Sequence, residues 1–387
     1  MILPLLDCAS DFDLEHGQYW FNTASEGPIP LLAKKALEET IYWKLSPHRL
    51  TIPMFQRVPI DLKHSLGALL KVNPADIILG NSATYGLHLL ANGLNFKQGD
   101  DIILMANDFP TDILPWLSLI KEGIIVRQIK PLKDVLTLAE IKHEIKPQTK
   151  VICLPHVHSF SGHMLEIEAI GQYCQSNNII FIVNIAQTAG VVPLDINTLN
   201  VDAVVGAGYK WLLGPYGTGF CWIKSALRES LNYPQNYWIS LMDEKSLSSN
   251  DALTLNDDHS SRRYDVFGTA NFFNNVPWRA SIELLLGKGI TNVYAHNQAL
   301  IKYLVDHLNK DAYQLICPLR EIVSPILVFS CNNPLHNRKL HQFLLAKQIY
   351  LAFWKNNLRF SPHLFNTQRD VQYLMGALDE FVTSVHC

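Results

Sequence analysis

The chain has 387 residues, 48% of them hydrophobic and 17% charged, with a formal charge of −3 from 32 Lys and Arg against 35 Asp and Glu. That composition gives a folded protein with an ample core and excludes an extended disordered chain. It also argues against a basic surface for nucleic acid or anionic lipid, and no apolar run reaches the length of a membrane span. The first residues, MILPLLDCAS, lack the basic start and long apolar stretch of a secretory leader. FNTASEGPIP, 21–30, is a turn-rich approach to an amphipathic helix. From residue 76 short buried strands are expected at DIILG, DIILM (101–105), IIVRQI (124–129), KVICL (150–154), IIFIV (179–183), DAVVG (202–206) and TGFCWI (218–223). Helical patterns separate them at TYGLHLLANGL, PWLSLIKEG, LAEIKHEIK and EIEAIGQYCQSNN. Strands alternating with helices imply crossovers and a mostly parallel sheet covered on both faces. The polar, aperiodic stretch 241–263 reads as a long loop at a domain boundary. Helices near 274–288 and 291–309, a strand PILVFS, a helix near 336–347, two short strands and a last helix at 367–385 then make a smaller α+β unit. The expected division is an N-terminal segment 1–20, a large domain 21–260 and a small domain 261–387.

The most informative segment is GAGYKWLLGPYGTGF, 206–220. Lys210 follows a buried strand and a Gly-x-Gly, and glycines this dense let the backbone approach something closely. Two readings compete: a surface lysine at a tight turn, and a desolvated amine of lowered pKa able to form a Schiff base. In NSATYGLHLL, 81–90, Ser82-Ala83-Thr84 opens a helix after a strand, which offers free N–H groups and the helix dipole to an anion. An ordinary N-cap uses the same residues. NLRFSPHLFNTQRDV places Arg359 on a strand just before a loop, where its fork of donors suits a carboxylate or a surface ion pair.

In this order the segments resemble the class V aminotransferase family of fold-type-I pyridoxal-phosphate enzymes. That group includes cysteine desulfurases, cysteine and cystine C–S lyases, epimerases of the isopenicillin N type and, more distantly, kynureninases. The resemblance runs from about Phe21 to Val382. It implies an α/β fold, with a large domain around a mostly parallel sheet and a smaller C-terminal α+β domain, and pyridoxal 5′-phosphate as cofactor with no metal. It implies that Lys210 carries the cofactor and then acts as acid and base at Cα, that Ala83 and Thr84 bind its phosphate, and that Gln187 bonds its ring hydroxyl. FGTANF, 267–272, resembles the family's Gly-Thr segment, so Thr269 would reach the phosphate of the neighbouring subunit in a homodimer with shared sites. Asn22 and Arg359 would hold the substrate, the arginine by the α-carboxylate.

Three segments depart from the desulfurase pattern. NDFPTDILPW, 107–116, has the Phe-Pro-Thr-Asp of kynureninases, which makes Phe109 the ring stacked on the cofactor, with a core aromatic as the alternative. Tyr209 is also kynureninase-like, and its hydroxyl would reach the phosphate. In FIVNIAQTAG, 181–190, Asn184 stands where the family has an aspartate facing the pyridine nitrogen. A carboxylate there keeps the nitrogen protonated, and an amide supplies no charge. Three accounts remain open: Asp112 supplies the missing charge, the ring is a deliberately weak electron sink, or the enzyme is degenerate. His156 and His158, in LPHVHSFSGHM, fall where relatives carry a polar residue facing cofactor or substrate, so His158 is a candidate for proton transfer alongside a structural role.

The seven cysteines, at 8, 153, 174, 221, 317, 331 and 387, form no CxxC pair, in keeping with free thiols in a reducing cytoplasm. A desulfurase needs a nucleophilic cysteine on a loop shortly before the C-terminal arginine, and LLAKQIYLAFWKNNLRFS, 344–361, has none. The expected function is therefore a lyase acting at Cβ of an amino acid, of the C–S lyase type on a cysteine derivative. An aminotransferase or epimerase uses the same residues, and a non-catalytic, cofactor-holding paralogue is the alternative of a different class.

Overall fold

A computed structural model describes residues 5–385 apart from 134, 233–236, 239–241, 243–247, 250–251, 253–259, 269 and 317–323. A two-residue strand β1 (Tyr19–Trp20) precedes the strands of the main sheet. These are β2 (Ile77–Gly80), β3 (Asp101–Met105), β4 (Ile125–Ile129), β5 (Thr149–Pro155), β6 (Ile180–Asn184), β7 (Ala203–Ala207) and β8 (Gly219–Ile223). They lie in the order β2-β8-β7-β6-β5-β3-β4. Pairings from β7 through to β4 are parallel, whereas β8 runs antiparallel to both of its neighbours. Every residue of β2, β3, β7 and β8 is buried, because helices cover both faces and leave no side for polar alternation.

The helices over this part are α1 (Leu31–Leu45), α2 (Ile52–Leu70), α3 (Ala83–Gly93), α4 (Pro110–Leu117), α5 (Leu138–Glu144), α6 (Ile167–Ser176) and α7 (Ser225–Glu229). Ser82 caps α3 by accepting from the Tyr85 N–H at 3.2 Å. Helix α4 begins five residues before the expected PWLSLIKEG, since Pro110 needs no N–H partner in a first turn and Phe109 is extended before it. The expected helix 291–309 is α9 (Ile290–His307), preceded by α8 (Phe272–Lys288). Trp278, Ile282 and Leu285 of α8 join the same core as the sheet, beneath α1 and α2. Most of the expected loop 241–263 lies outside the described residues.

The second sheet is antiparallel, in the order β12 (Ala352–Trp354), β13 (Asn357–Phe360), β10 (Leu327–Cys331), β9 (Tyr313–Leu315). Strand β11 (Ile349–Tyr350) pairs with β1, so three short strands stand where two were expected. Left-handed Lys355 and Asn356 reverse the chain between β12 and β13. Helices α10 (Asn337–Ala346) and α11 (Gln368–Val385) cover this sheet, and Phe21 is buried in its core. The segment after Phe21 thus passes from one core to the other, and Asn22–Gly27 lies where the two meet.

Candidate active site

The parallel strands β5, β6 and β7 end at Pro155, Asn184 and Ala207, and a cleft opens at those carboxyl ends, where α/β sheets present ligand sites. Its wall is built from Ala83, Thr84, Phe109, Thr111, Asp112, Ser159, Asn184, Gln187, Tyr209 and Lys210, among others. Eight of the residues singled out in the sequence therefore share one concavity.

At one end, α3 directs its first turn into the cleft. Its leading N–H groups have no partners within the helix, and the Thr84 and Thr111 hydroxyls lie 3.1 Å apart beside them. At the other end, Asn184 donates from Nδ2 to Asp112 Oδ1 at 2.7 Å and accepts the Ala186 N–H at 2.9 Å. The second oxygen of Asp112 makes no hydrogen bond among the described residues. Burial pushes the Asp112 carboxyl up to about 6, against the lowering effects of the Asn184 hydrogen bond and the charge of Lys210.

Lys210 is buried, and its ammonium lies 5.4 Å from the centre of the Phe109 ring. Among the described residues, no carboxylate comes within ion-pair distance of it. Burial first, then the charge of Arg359, lowers its pKa to about 8, with Asp112 opposing. Sequence reasoning left a surface lysine open, and the structure removes that reading. Gly27 is obligatory here, since a Cβ on it would lie 2.2 Å from the Lys210 carbonyl oxygen. Its own N–H bonds the Tyr209 carbonyl at 2.9 Å.

Arg359 enters from β13 and is buried, which lowers its pKa to about 10. It donates to the Ser159 carbonyl at 2.9 Å, to Asn22 Oδ1 at 3.2 Å and to Ser25 Oγ at 2.6 Å, while its Nε has no partner. Ser159 links the arginine to Gln187, whose Nε2 donates to Ser159 Oγ at 3.2 Å and to the Ala24 carbonyl at 3.1 Å. The Trp211 indole N–H fixes the other end of that amide, at 2.9 Å from Oε1. His363 donates from Nε2 to the Trp211 carbonyl at 3.0 Å, because its Nδ1 accepts the Leu364 N–H. The chain from Arg359 to His363 is thereby tied to the lysine loop. Ser25, Ser159 and His363 were assigned no role from the sequence, because polar residues in loops look alike until the fold aims them, and Thr111 entered only as part of Phe-Pro-Thr-Asp.

One expectation stands apart from this cluster. His158 does not line the cleft. Its Nδ1 is 2.7 Å from Ser161 Oγ and its Nε2 is 3.3 Å from the Asn107 carbonyl, so both ring nitrogens are engaged in holding loops. Its neighbour His156 is buried 3.2 Å from Thr188 Oγ1, with its pKa lowered to about 4 by burial. Thr269 lies outside the described residues.

The family model described as "Aminotransferase class-V" matches residues 61–374. The chain belongs to this family. A probable cysteine desulfurase of Methanothermobacter thermautotrophicus is 22% identical, over 97% of each chain. Two solved structures share the fold. The cystine C–S lyase C-DES in complex with its product cysteine persulfide gives a TM-score of 0.84 at 22% identity, covering 94% of this chain and 97% of that one. A mutant of C-DES with glycine covalently linked to its PLP cofactor gives 0.83 at 22% identity, over 94% and 96%.

Pyridoxal phosphate, the family's cofactor, fits the donor set. The cleft offers a helix N-terminus with two hydroxyls for a phosphate, a buried amine without a counterion, an aromatic ring beside that amine, and a carboxylate with one open oxygen.

Proposed function

We propose that the protein is a pyridoxal-phosphate-dependent lyase that cleaves a bond at Cβ of an amino acid, the C–S bond of a cysteine derivative. The observation that carries this reading is a buried amine in the cleft wall, Lys210, with a buried guanidinium, Arg359, bonded to the carbonyl of the wall residue Ser159, and no thiol among the residues of that wall. Cys331, the cysteine that precedes Arg359 most closely in sequence, is buried at the end of β10, and burial pushes its thiol up to about 11. A group so held is a poor nucleophile.

When bound, the cofactor supplies a sink for the electrons released as a bond at Cα breaks. The residues do the rest. Ala83 and Thr84, with the Thr111 and Tyr209 hydroxyls, would hold the phosphate. Phe109 would pack against the ring, and Gln187 would bond its hydroxyl. Asp112, oriented by Asn184, would supply the ring nitrogen with the charge that Asn184 lacks. With a pKa near 8, Lys210 has an appreciable neutral fraction at pH 7–8, as an amine must to hold the cofactor and to take a proton from Cα. Arg359, carried with Asn22, binds the α-carboxylate. His158 acts by position, fastening the loops that bear Phe109 and Ser159. We infer a homodimer acting on a small amino acid, with the segment around residue 269 reaching the neighbouring site. The buried, unpaired cysteines at 8, 153, 174, 221 and 331 accord with a cytoplasmic setting.

The test has two parts. Borohydride reduction of holoenzyme and peptide mapping should mark Lys210, and label on another lysine would refute the assignment. A product screen with cysteine derivatives should find pyruvate, ammonia and a thiol or sulfide. A keto acid retaining the whole side chain would make the enzyme an aminotransferase, and racemised substrate an epimerase.

A further inference from the structure

Beyond the cleft, aromatic side chains continue outward from Phe109. The ring of Phe160 is centred 6.0 Å from that of Phe109, and the ring of Trp354 5.9 Å from that of Phe160. The Lys355 ammonium lies 5.2 Å from the centre of the Phe160 ring. Both ends of this ladder are rooted in the site. Phe160 follows Ser159, whose carbonyl accepts from Arg359. Trp354 and Lys355 sit at the tip of the β12–β13 hairpin, and β13 carries Arg359. Trp354 pairs with Asn357, two residues or about 7 Å along β13 from Arg359, and Lys355 lies at the turn beyond it.

The tip is held in an unusual way. Lys355 has φ 49° and Asn356 φ 62°, the left-handed pair of a two-residue hairpin turn in which lysine is an uncommon first residue. Trp354 is 44% exposed, and Lys355 makes no ion pair among the described residues. An exposed indole and an unpaired ammonium, stacked over a ring that adjoins the cleft, form an apolar wall with a positive end.

We propose that this ladder binds the side chain of the amino-acid substrate, and that the side chain is flat or apolar and ends in an anion. The proposal rests on the lyase reading of the cleft. With the α-carboxylate at Arg359 and Cα at Lys210, a substituent on Cβ meets Phe109 and then Phe160. Sulfur and aromatic groups pack well on such rings. A distal carboxylate or sulfonate then reaches Lys355, whereas a distal ammonium meets Lys355 and is repelled. The substrate class is a cysteine S-conjugate whose substituent is an aryl or extended apolar group bearing a carboxylate.

Holoenzyme is tested with S-methyl-L-cysteine, S-phenyl-L-cysteine and S-(4-carboxyphenyl)-L-cysteine, in the parent, Lys355→Gln, Lys355→Glu and Trp354→Ala. Turnover is followed together with binding by calorimetry. The parent should prefer the carboxylated conjugate. Lys355→Gln should lower kcat/KM for that compound alone, by about threefold to fivefold and through KM, as expected of a half-exposed ion pair. Lys355→Glu should lower it by more than about tenfold, and added salt should shrink the parent's preference. Trp354→Ala should weaken both aryl compounds and spare S-methyl-L-cysteine. An equal effect on all three compounds, or none, overturns the proposal. If no compound is turned over, the lyase reading fails, and the dissociation constants decide separately. A selective loss of affinity for the carboxylated conjugate in the Lys355 variants supports the ladder, and its absence sinks it.

Discussion

Asp112 is held at a cost that its proposed role explains. Its carboxyl is raised to about 6 by burial, and the neighbouring Asp108, buried with one oxygen unpartnered, is also raised, by burial and by the charge of Asp112. A folded-state pKa above the unfolded value means that the folded protein binds the proton more tightly. The stability this group contributes is therefore present below about pH 4 and lost as pH rises through about 6. Asp112→Asn should accordingly stabilise the cofactor-free enzyme at pH 7.5, by roughly 2–3 kcal/mol from a shift of about two pK units, and give no gain at pH 4. Thermal melts at the two pH values check this. In holoenzyme the same change should cost at least about tenfold in turnover, since a neutral partner replaces a charge-assisted bond. Asn184→Ala should cost less, because it removes the orienting amide and leaves the carboxylate. Equal turnover in Asp112→Asn and parent would leave a weak electron sink as the better account of Asn184. Arg359→Leu should raise KM for substrates with a free α-carboxylate by an amount corresponding to about 2–5 kcal/mol. Unaltered steady-state kinetics would exclude that role. The glycine-dense segment around Lys210 left its burial open until the companion segments and the family resemblance were added, and Asp112 was singled out only by the resemblance of Phe-Pro-Thr-Asp. For His158 two roles stayed open, because a histidine after a strand is equally suited to proton transfer and to tying loops together.

Elements set these side chains through a few buried contacts. The segment 261–266 lies along the edge strand β2: Leu79 donates to Asp265 Oδ1 at 2.8 Å and accepts the Val266 N–H at 2.9 Å. Lys63, reaching from α2, pairs with the other Asp265 oxygen at 2.9 Å, with both side chains almost wholly buried. Burial pushes the lysine down and the aspartate up, and each holds the other back toward its charged form. Breaking such a pair leaves one charge buried and uncompensated. Lys63→Ala should destabilise the fold by about 3–5 kcal/mol, and a shift below about 1 kcal/mol in denaturant melts would show that the pair is not desolvated in solution. The central strands of the main sheet were legible because near-complete burial made them largely apolar runs, whereas the edge strand β4, IVRQI, has no buried residue. Boundaries were less so where a single residue sets them. Pro110 opens α4 early, and the left-handed turn at Lys355–Asn356 makes an extra strand, with no glycine to announce it.

On the scale of the whole molecule, the sheet and its covering helices follow from the alternation of runs, whereas the meeting of two cores around Asn22–Gly27 depends on long-range contacts that no local pattern encodes. The same limit applies to α1, expected to be amphipathic. Ala33 and Thr40 are buried against the protein, yet Leu31, Ile41, Tyr42 and Leu45 are 39%, 45%, 54% and 74% exposed. At about 100° per residue these four fall within one third of the helix circumference, on a single outward stripe. Exposed Ile52, Phe267 and Phe273 lie in neighbouring segments, and Phe267 and Phe273 flank residue 269. An apolar stripe of this kind suits a second copy of the chain, in line with the homodimer proposed above. Sedimentation equilibrium of the parent should then give a dimer. Tyr42→Lys combined with Leu45→Lys should shift it toward monomer without lowering the cooperativity of unfolding, because neither side chain contributes to the core. Cofactor retention should fall with dimer content, since each phosphate would lose its contact from the other subunit, and raising protein concentration should restore both together. A parent that sediments as a monomer while holding its cofactor would refute shared sites. A dimeric variant with normal retention would place the interface elsewhere on the surface.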